Sequence, residues 1–374
     1  MRPQDAPAAG GALAEIETPV LLVEADALER NLARMALFAS RTGIGLRAHA
    51  KTHKCPIIGR RQVALGAVGL CCQTVHEAEA MVAGGIADVL VSNEIVSSGK
   101  LQRLARLARH ARVAVCADDA ENIAAIGAAA VGEGVRIDVL VEIDVGANRC
   151  GVAPGAPAVE LARLVSQTPG LNFRGLQAYH GSAQHYREHQ QRRDAITRAI
   201  DMCRETKALL LAAGLECAVI SGAGTGTFEL EAASGVYTEL QAGTYAFMDG
   251  DYSRNRTANG AAFADFEQGL FVLATVISRP KPGVAVIDAG LKAIGVDAGL
   301  PTVADLDGAI YTRASDEHGV LDISACRREI GIGDRVRLIP GNCDPTVNLH
   351  DIYVVAREGV VLDVWPVTAR GPGR

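Results

Sequence analysis

A (β/α)8 barrel followed by an antiparallel β domain is the fold this sequence predicts, and three observations predict it. Between residues 45 and 243, eight short apolar runs alternate with Ala- and Leu-rich stretches of helical spacing. Strands separated by helical crossovers pair in parallel, and eight of them suggest a closed, TIM-like barrel. After about residue 265 the helical stretches stop and strand-like runs follow one another across turns, as in antiparallel sheets. Glycine-rich turns follow the seventh and eighth runs, the place where such barrels commonly bind phosphate. A doubly wound parallel sheet is the rival arrangement for the first observation.

The elements follow in order. MRPQDAPAAGGALAE, residues 1–15, has Pro, Gly and acids where a signal peptide needs an apolar core, and reads as a loose tail. TPVLLVEADALERNLARMALF supplies a strand and an amphipathic helix. The barrel strands are GLRAHAKT (45–52), GLCCQTV (69–75), DVLVSN (88–93), RVAVCAD (112–118), VRIDVLVEID (135–144), FRGLQAYHG (173–181), CAVISGAG (217–224) and TELQAG (238–243). Between them, VHEAEAMVAGGI shows apolar residues at helical spacing and a Gly pair as its stop, and GKLQRLARLARHAR is a second such stretch. GLFVLATVISRP, GVAVIDAG, RVRLIPG, DIYVVAREG and VVLDVWPV are the strands of the second domain. The expected division is a barrel over 16–265 and a β domain over 266–374, which the N-terminal strand joins.

Composition bounds the function. Of 374 residues, 49% are hydrophobic and 21% charged, as in soluble globular proteins. The net charge of −6 and the lack of any Lys/Arg-rich run argue against a nucleic-acid partner. No apolar run approaches the roughly 18 residues of a membrane span. Nine cysteines without a CxxC pair read as reduced thiols of a cytoplasmic protein and signal no structural zinc.

LRAHAKTHKCP, residues 46–56, carries the chemistry. Arg47, His49, Lys51 and His53 occupy every second position, so on a strand all four share a face. Lys51 and His53 fall at the strand's C-terminal end, where barrel active sites are built, with Arg47 and His49 deeper. A lysine beside other cations has a lowered pKa and is a usable amine nucleophile. His53 is a candidate general base, because imidazole titrates near neutrality. Opposite them, SGAGTGTF and QAGTYAF offer Gly224, Thr225, Gly243, Thr244 and Tyr245 as a phosphate cradle. A nucleophilic lysine facing such a cradle suits an aldehyde cofactor with a phosphate arm, pyridoxal 5'-phosphate bound as a Schiff base.

The sequence also resembles the fold-type III pyridoxal phosphate enzymes of the D-threonine aldolase, D-3-hydroxyaspartate aldolase and D-serine dehydratase group. The matching motifs include TPVLLVEADALERN, RAHAKTHK, EIDVGANRCGV, GLQAYHGSAQH, SGAGTGTF, ELQAGTYAFMD, DAGLKAIGVDAG, SDEHG and NCDPTVNLHD, in order from about residue 18 to 370. The resemblance implies an alanine-racemase-like barrel plus C-terminal β domain and a homodimer. It implies Lys51 as the cofactor lysine and Arg149 facing the cofactor's phenolate oxygen. Gln177 and Tyr179 would line the ring, Tyr179 as partner of the pyridine nitrogen. Glu317 and His318 would contact the substrate or support it.

The group usually carries His-x-Cys or His-x-Asp before PTVNL; here the two positions are Asn342 and Asp344. On an extended segment these would share a face and bracket one divalent ion. Their oxygen ligands suit Mg²⁺ or Mn²⁺ better than Zn²⁺. GNCDP also reads as a turn signal. The activity implied is a metal-assisted aldolase cleaving D-3-hydroxy amino acids to glycine and an aldehyde or glyoxylate. The alternatives are a D-serine or 3-hydroxyaspartate dehydratase, which releases a 2-oxo acid and ammonia, and a non-catalytic pyridoxal phosphate carrier.

Overall fold

The computed structural model describes residues 9–373. Strand β1 (Val20–Glu24) and helix α1 (Ala25–Thr42) precede the barrel. Then strands and helices alternate: β2 (Gly45–His49), α2 (Pro56–Ala64), β3 (Gly69–Cys72), α3 (Val75–Ala83), β4 (Asp88–Glu94), α4 (Ser98–Leu107), β5 (Arg112–Ala117), α5 (Ala120–Glu133), β6 (Ile137–Glu142), α6 (Ala156–Gln167), β7 (Leu171–Gln177), α7 (His189–Ala212), β8 (Val219–Gly222), α8 (Phe228–Ala232) and β9 (Glu239–Leu240). Strands β2 to β9 close on themselves, all neighbours parallel.

Local chemistry sets the helix ends. Thr74 accepts a hydrogen bond from the Glu77 N–H at the start of α3, and Asp119 does the same for Asn122 at the start of α5. Gly43 and Gly134 end α1 and α5 in the left-handed conformation that glycine enters without a Cβ clash.

A short helix, α9 (Gly250–Ser253), leads to a second, nine-stranded sheet. It contains β10 (Leu270–Lys281), β11 (Val284–Ile287), β12 (Thr302–Val303), β13 (Ile310–Ala314), β14 (Gly319–Asp322), β15 (Arg335–Ile339), β16 (Ile352–Arg357) and β17 (Val360–Pro366), with α10 (Cys343–Val347) between β15 and β16. The ninth strand is β1, antiparallel to β10 and parallel to β16. Leu21 and Val23 of β1 pack into the main core, while Val20 and Leu22 join a second apolar cluster on the other face. Burial on both faces explains why this strand is apolar throughout.

Two features differ from the sequence expectation. The tail is not loose over its described part, since Gly10 and Leu13 N–H groups donate to Val361 and Gly359; residues 1–8 lie outside the described residues. The β13–β14 hairpin was not foreseen, because its strands are short and half exposed. Among the described residues, no helix is long and apolar enough to cross a membrane.

Candidate active site

The strands deliver their side chains to the C-terminal mouth of the barrel, where a cavity of about 310 Å³ opens. Lys51, Arg149, Tyr179 and His185 line it, with the Gly224–Thr225 and Gly243–Thr244 pairs. A larger cavity of about 440 Å³ lies beside the start of α7. No lysine or cysteine lines it.

Strand β2 stops at His49, and a 3-10 turn over Ala50–Thr52 presents Lys51. The β domain grips this turn. Tyr353 donates to the His53 carbonyl at 2.6 Å, Lys54 donates to Asn348 at 2.8 Å, and Asp344 ion-pairs with Lys51. The turn overturns the shared-face reading of 47, 49, 51 and 53. Residues two apart in a 3-10 turn point about 240° apart, so His53 leaves the cavity. It is fully buried, with Nε2 at Gln62 and Nδ1 accepting from the Cys55 N–H. It is not placed to act as a base.

The expected block of positive charge also dissolves. Arg47 lies at the opposite, N-terminal end of the barrel interior, on Glu239 (2.8 Å) and Asp88 (2.6 Å). Burial, then Lys51, pushes His49 down to about 3, so this ring is neutral. Burial acts to lower the Lys51 pKa, yet Asp344 outweighs it and the net shift is upward. Lys51 is therefore an ammonium held by a carboxylate, the reverse of a lysine depressed by neighbouring cations.

Around the cradle, Thr225 Oγ1 accepts the Tyr245 N–H, which leaves its own hydroxyl proton free for a ligand. Tyr245 itself is buried, its hydroxyl taking a bond from Gln62; it braces the two loops and does not line the cavity. Gly243 is required by close approach, since a Cβ there would stand 2.7 Å from Thr52 Oγ1 and 2.8 Å from the His49 carbonyl. Gln177 forms a reciprocal amide pair with Gln241 in the cavity floor. Tyr179 stands near Lys51 and Asp344 with the Arg149 guanidinium 5.9 Å from its ring centre.

Asn342 and Asp344 do not lie on an extended segment. Asn342 caps α10, its Oδ1 taking the Asp344 N–H at 3.1 Å and its Nδ2 donating to Asp297 at 2.9 Å. Glu317 and His318 sit in the exposed β13–β14 turn, Glu317 paired with Lys292, outside this chain's cavity. A residue that sequence reasoning missed is His185. It lines the cavity with Nδ1 2.5 Å from Asp251 Oδ2, and Arg187 and Arg254 hold the same carboxylate. The only sequence signal was its place in GLQAYHGSAQH; its partner lies 66 residues further on.

Comparison with known families places this geometry. Residues 23–251 match the family model described as "Alanine racemase, N-terminal domain", and residues 269–356 match "Putative serine dehydratase domain". The chain belongs to the alanine racemase N-terminal domain family. Within this family the chain is 48% identical to a D-threonine aldolase of Arthrobacter sp, covering 98% of this chain and 96% of that one. It is 46% identical to a 3-hydroxy-D-aspartate aldolase of Paracoccus denitrificans (strain Pd 1222), over 96% and 93%. The crystal structure of D-threonine aldolase from Filomicrobium marinum superposes with a TM-score of 0.95 at 49% identity, covering 98% and 99%. A D-threo-3-hydroxyaspartate dehydratase of Delftia sp. is more distant, 29% identical over 93% and 97%.

Fold-type III enzymes of this family depend on pyridoxal phosphate, and the residues present fit it. Lys51 stands at one wall. Among the described residues, the backbone N–H groups of Gly224, Thr225, Gly243 and Thr244 donate to no protein acceptor, and Thr52 Oγ1 is buried without a partner. Four free amides and two hydroxyls suit a phosphate dianion. A divalent metal does not fit. Both ends of the Asn342 amide are engaged, Asp344 is taken up by Lys51, and no group of three His, Cys, Asp or Glu side chains among the described residues could hold an ion.

Proposed function

We propose that the chain is a pyridoxal phosphate-dependent aldolase that cleaves D-3-hydroxy amino acids to glycine and an aldehyde or glyoxylate. The observation that carries this reading is an oriented base, His185 on Asp251, lining the same cavity as Lys51. When bound, the cofactor supplies an electron sink for the carbanion that carbon–carbon cleavage leaves behind.

The protein supplies the rest. Lys51 anchors the cofactor, and the amides after β8 and β9 with Thr52 and Thr225 hold its phosphate. Arg149 places a cation at the face beside Tyr179. The cleavage needs the β-hydroxyl proton removed as the Cα–Cβ bond breaks. With Nδ1 donating to Asp251, His185 presents Nε2 to the cavity to take that proton. Burial acts to raise the Asp251 pKa, but His185 and Arg187 outweigh it and hold it well below the usual carboxylate range. The carboxylate therefore stays charged and steadies the imidazolium that forms. A dehydratase would instead lose the hydroxyl itself, and no group described here is placed to stabilise that leaving oxygen as a metal would. A carrier would have no use for a β domain that reaches the cofactor lysine with Asp344.

The chain also suits a homodimer. Glu317 and His318 stand exposed on a hairpin away from their own cavity, a position fit to meet the mouth of a second copy.

The test is borohydride reduction of the isolated protein followed by peptide mapping, then incubation with D-threonine and D-3-hydroxyaspartate. The expected result is a reduced adduct on Lys51 and glycine with an aldehyde. An adduct on another lysine, or a 2-oxo acid as product, would overturn the reading.

A further inference from the structure

Behind Arg149, in the barrel wall, a buried acid stands beside a half-buried one. Glu94 ends β4 and Glu142 ends β6. The Glu142 side chain is 4% exposed. Glu94 Oε1 is buried and finds no donor among the described residues. The two stand close enough to interact, and a pair of neighbouring carboxyls resists taking a second negative charge. Burial, and then Glu94, pushes Glu142 well above the usual carboxylate range, consistent with one charge on the pair.

The groups facing the pair come from two places. Asp118, just after β5, takes the Gly151 N–H at 2.8 Å. The Cys150 thiol faces Glu94. Arg149 brings Nη2 to 3.9 Å from Glu142 Oε1. The loop carrying Arg149 is pinned on both sides, with the Gly146 and Asn148 N–H groups on Asp144 and the Gly151 N–H on Asp118. Its backbone is thus fixed, while the Arg149 side chain is half exposed and long enough to swing. What decides its direction is the charge behind it.

We propose that Glu142 is a positioning residue: with Glu94 it carries a single negative charge behind Arg149 and holds that guanidinium at the cofactor face of the cavity. Two charges would draw the arginine into the wall, and none would release it to solvent. The role rests on the pyridoxal phosphate reading above and deepens it, because the charge at the cofactor is then set by a three-residue unit.

The test uses the holoenzyme and the variants Glu142→Gln, Glu142→Asp, Arg149→Ala and Glu142→Gln/Arg149→Ala. Glu142→Gln leaves the remaining charge on Glu94 and takes it off the oxygen 3.9 Å from Arg149, and is expected to lower kcat/KM about tenfold. Arg149→Ala should lower it at least as far, and the double variant no further, because the glutamate acts through the arginine. Glu142→Asp, which keeps the acid, should retain more activity than Glu142→Gln. The pH titration of the bound cofactor's absorption band should shift in the same direction in Glu142→Gln and Arg149→Ala. Losses that multiply in the double variant would overturn the proposal, as would wild-type rate and band titration in Glu142→Gln. Borohydride mapping of every protein keeps the two readings apart. An adduct on Lys51 in the wild type with the wrong pattern in the variants defeats the positioning role alone. No adduct in the wild type defeats the cofactor reading, and this proposal with it.

Discussion

The two ends of the barrel interior make opposite use of charge. At the N-terminal end, Arg47, Arg112 and Arg174 meet Asp88, Asp138 and Glu239 around a small cavity. There each guanidinium is answered by a carboxylate from another strand. A layer of Cys71, Leu90, Cys116 and Leu140 separates this network from the mouth. At the mouth, Thr52 Oγ1, Glu94 Oε1 and Asp344 Oδ1 are buried without partners, and His185 lines the cavity. Arg47 and His49 differ by two residues on one strand, yet one belongs to structure and the other to the site. Charge density therefore does not mark the functional end; polar groups left open beside the cavity are the better guide there.

If that contrast is right, the largest effect comes from removing the oriented base. His185→Gln is expected to lower kcat by about 10²–10⁴-fold, the usual worth of a general base, with the cofactor still fixed to Lys51. Steady-state assay beside borohydride mapping checks this. A rate within a few-fold of wild type would move the base elsewhere and leave the mouth with one functional group fewer than the comparison requires.

The opposite end should respond in stability. Arg47→Met leaves Glu239 without its cation and Asp88 with Arg112 alone, and breaking a buried ion pair costs about 3–5 kcal/mol. Urea denaturation should show the loss, while the rate per folded molecule stays near wild type. A large fall in kcat without a loss of stability would contradict the division between the two ends.

Much of this was legible in the sequence, and the misses share a cause. Most of the barrel strands stood out as apolar runs between helical stretches, since burial on both faces leaves a continuous hydrophobic signature; GLRAHAKT and TELQAG, with their charged and polar residues, did so less. Lys51 stood out through its spacing with Arg47 and His49. The supposed reason for that pattern was wrong, because the carboxylates that answer Arg47 lie 41 and 192 residues away. His53 was misplaced because alternation was carried past the point where a 3-10 turn replaces the strand. His185 and Glu142 were not singled out because what gives each its role, Asp251 for one and Glu94 and Arg149 for the other, is brought beside it only by the closed barrel. Local periodicity reports burial; it does not report which distant side chain stands opposite.

The mouth offers a third test at Asn342. Its amide now caps α10 and holds Asp297, so the wild type should bind no stoichiometric Mn²⁺ in electron paramagnetic resonance titration. Asn342→His adds an imidazole beside Asp344, and imidazole with carboxylate suits transition metals. The variant should gain Mn²⁺ binding, at a cost of about 0.5–2 kcal/mol for the lost cap. Stoichiometric binding by the wild type would show that the capping geometry opens to admit an ion.

The smallest effect is a slope. His49 and His53 are both held neutral, pushed down to about 3 and about 4, with burial the first cause in each. In the unfolded chain a histidine takes up its proton near 6.5. Below that value the unfolded state binds a proton that the folded state refuses, so stability falls as the pH drops from about 6.5 toward 4. Above 6.5 the contribution is fully present. Each such histidine adds about 1.4 kcal/mol per pH unit inside this window. Asp251, whose pKa is depressed, begins to lose its share only as the pH falls below the ordinary carboxylate value, so it does not mask the effect above pH 4. Substituting His53 with Gln will change the level of stability as well, since Gln62 and the Cys55 N–H lose a partner. The slope is therefore the quantity to read. Denaturation midpoints at pH 7, 6 and 5 should give a shallower dependence for His53→Gln than for wild type, by up to that amount per unit. An unchanged slope would mean that His53 opens to water and takes its proton in the folded state, and the wall behind Lys51 would then be less tightly closed than its contacts require.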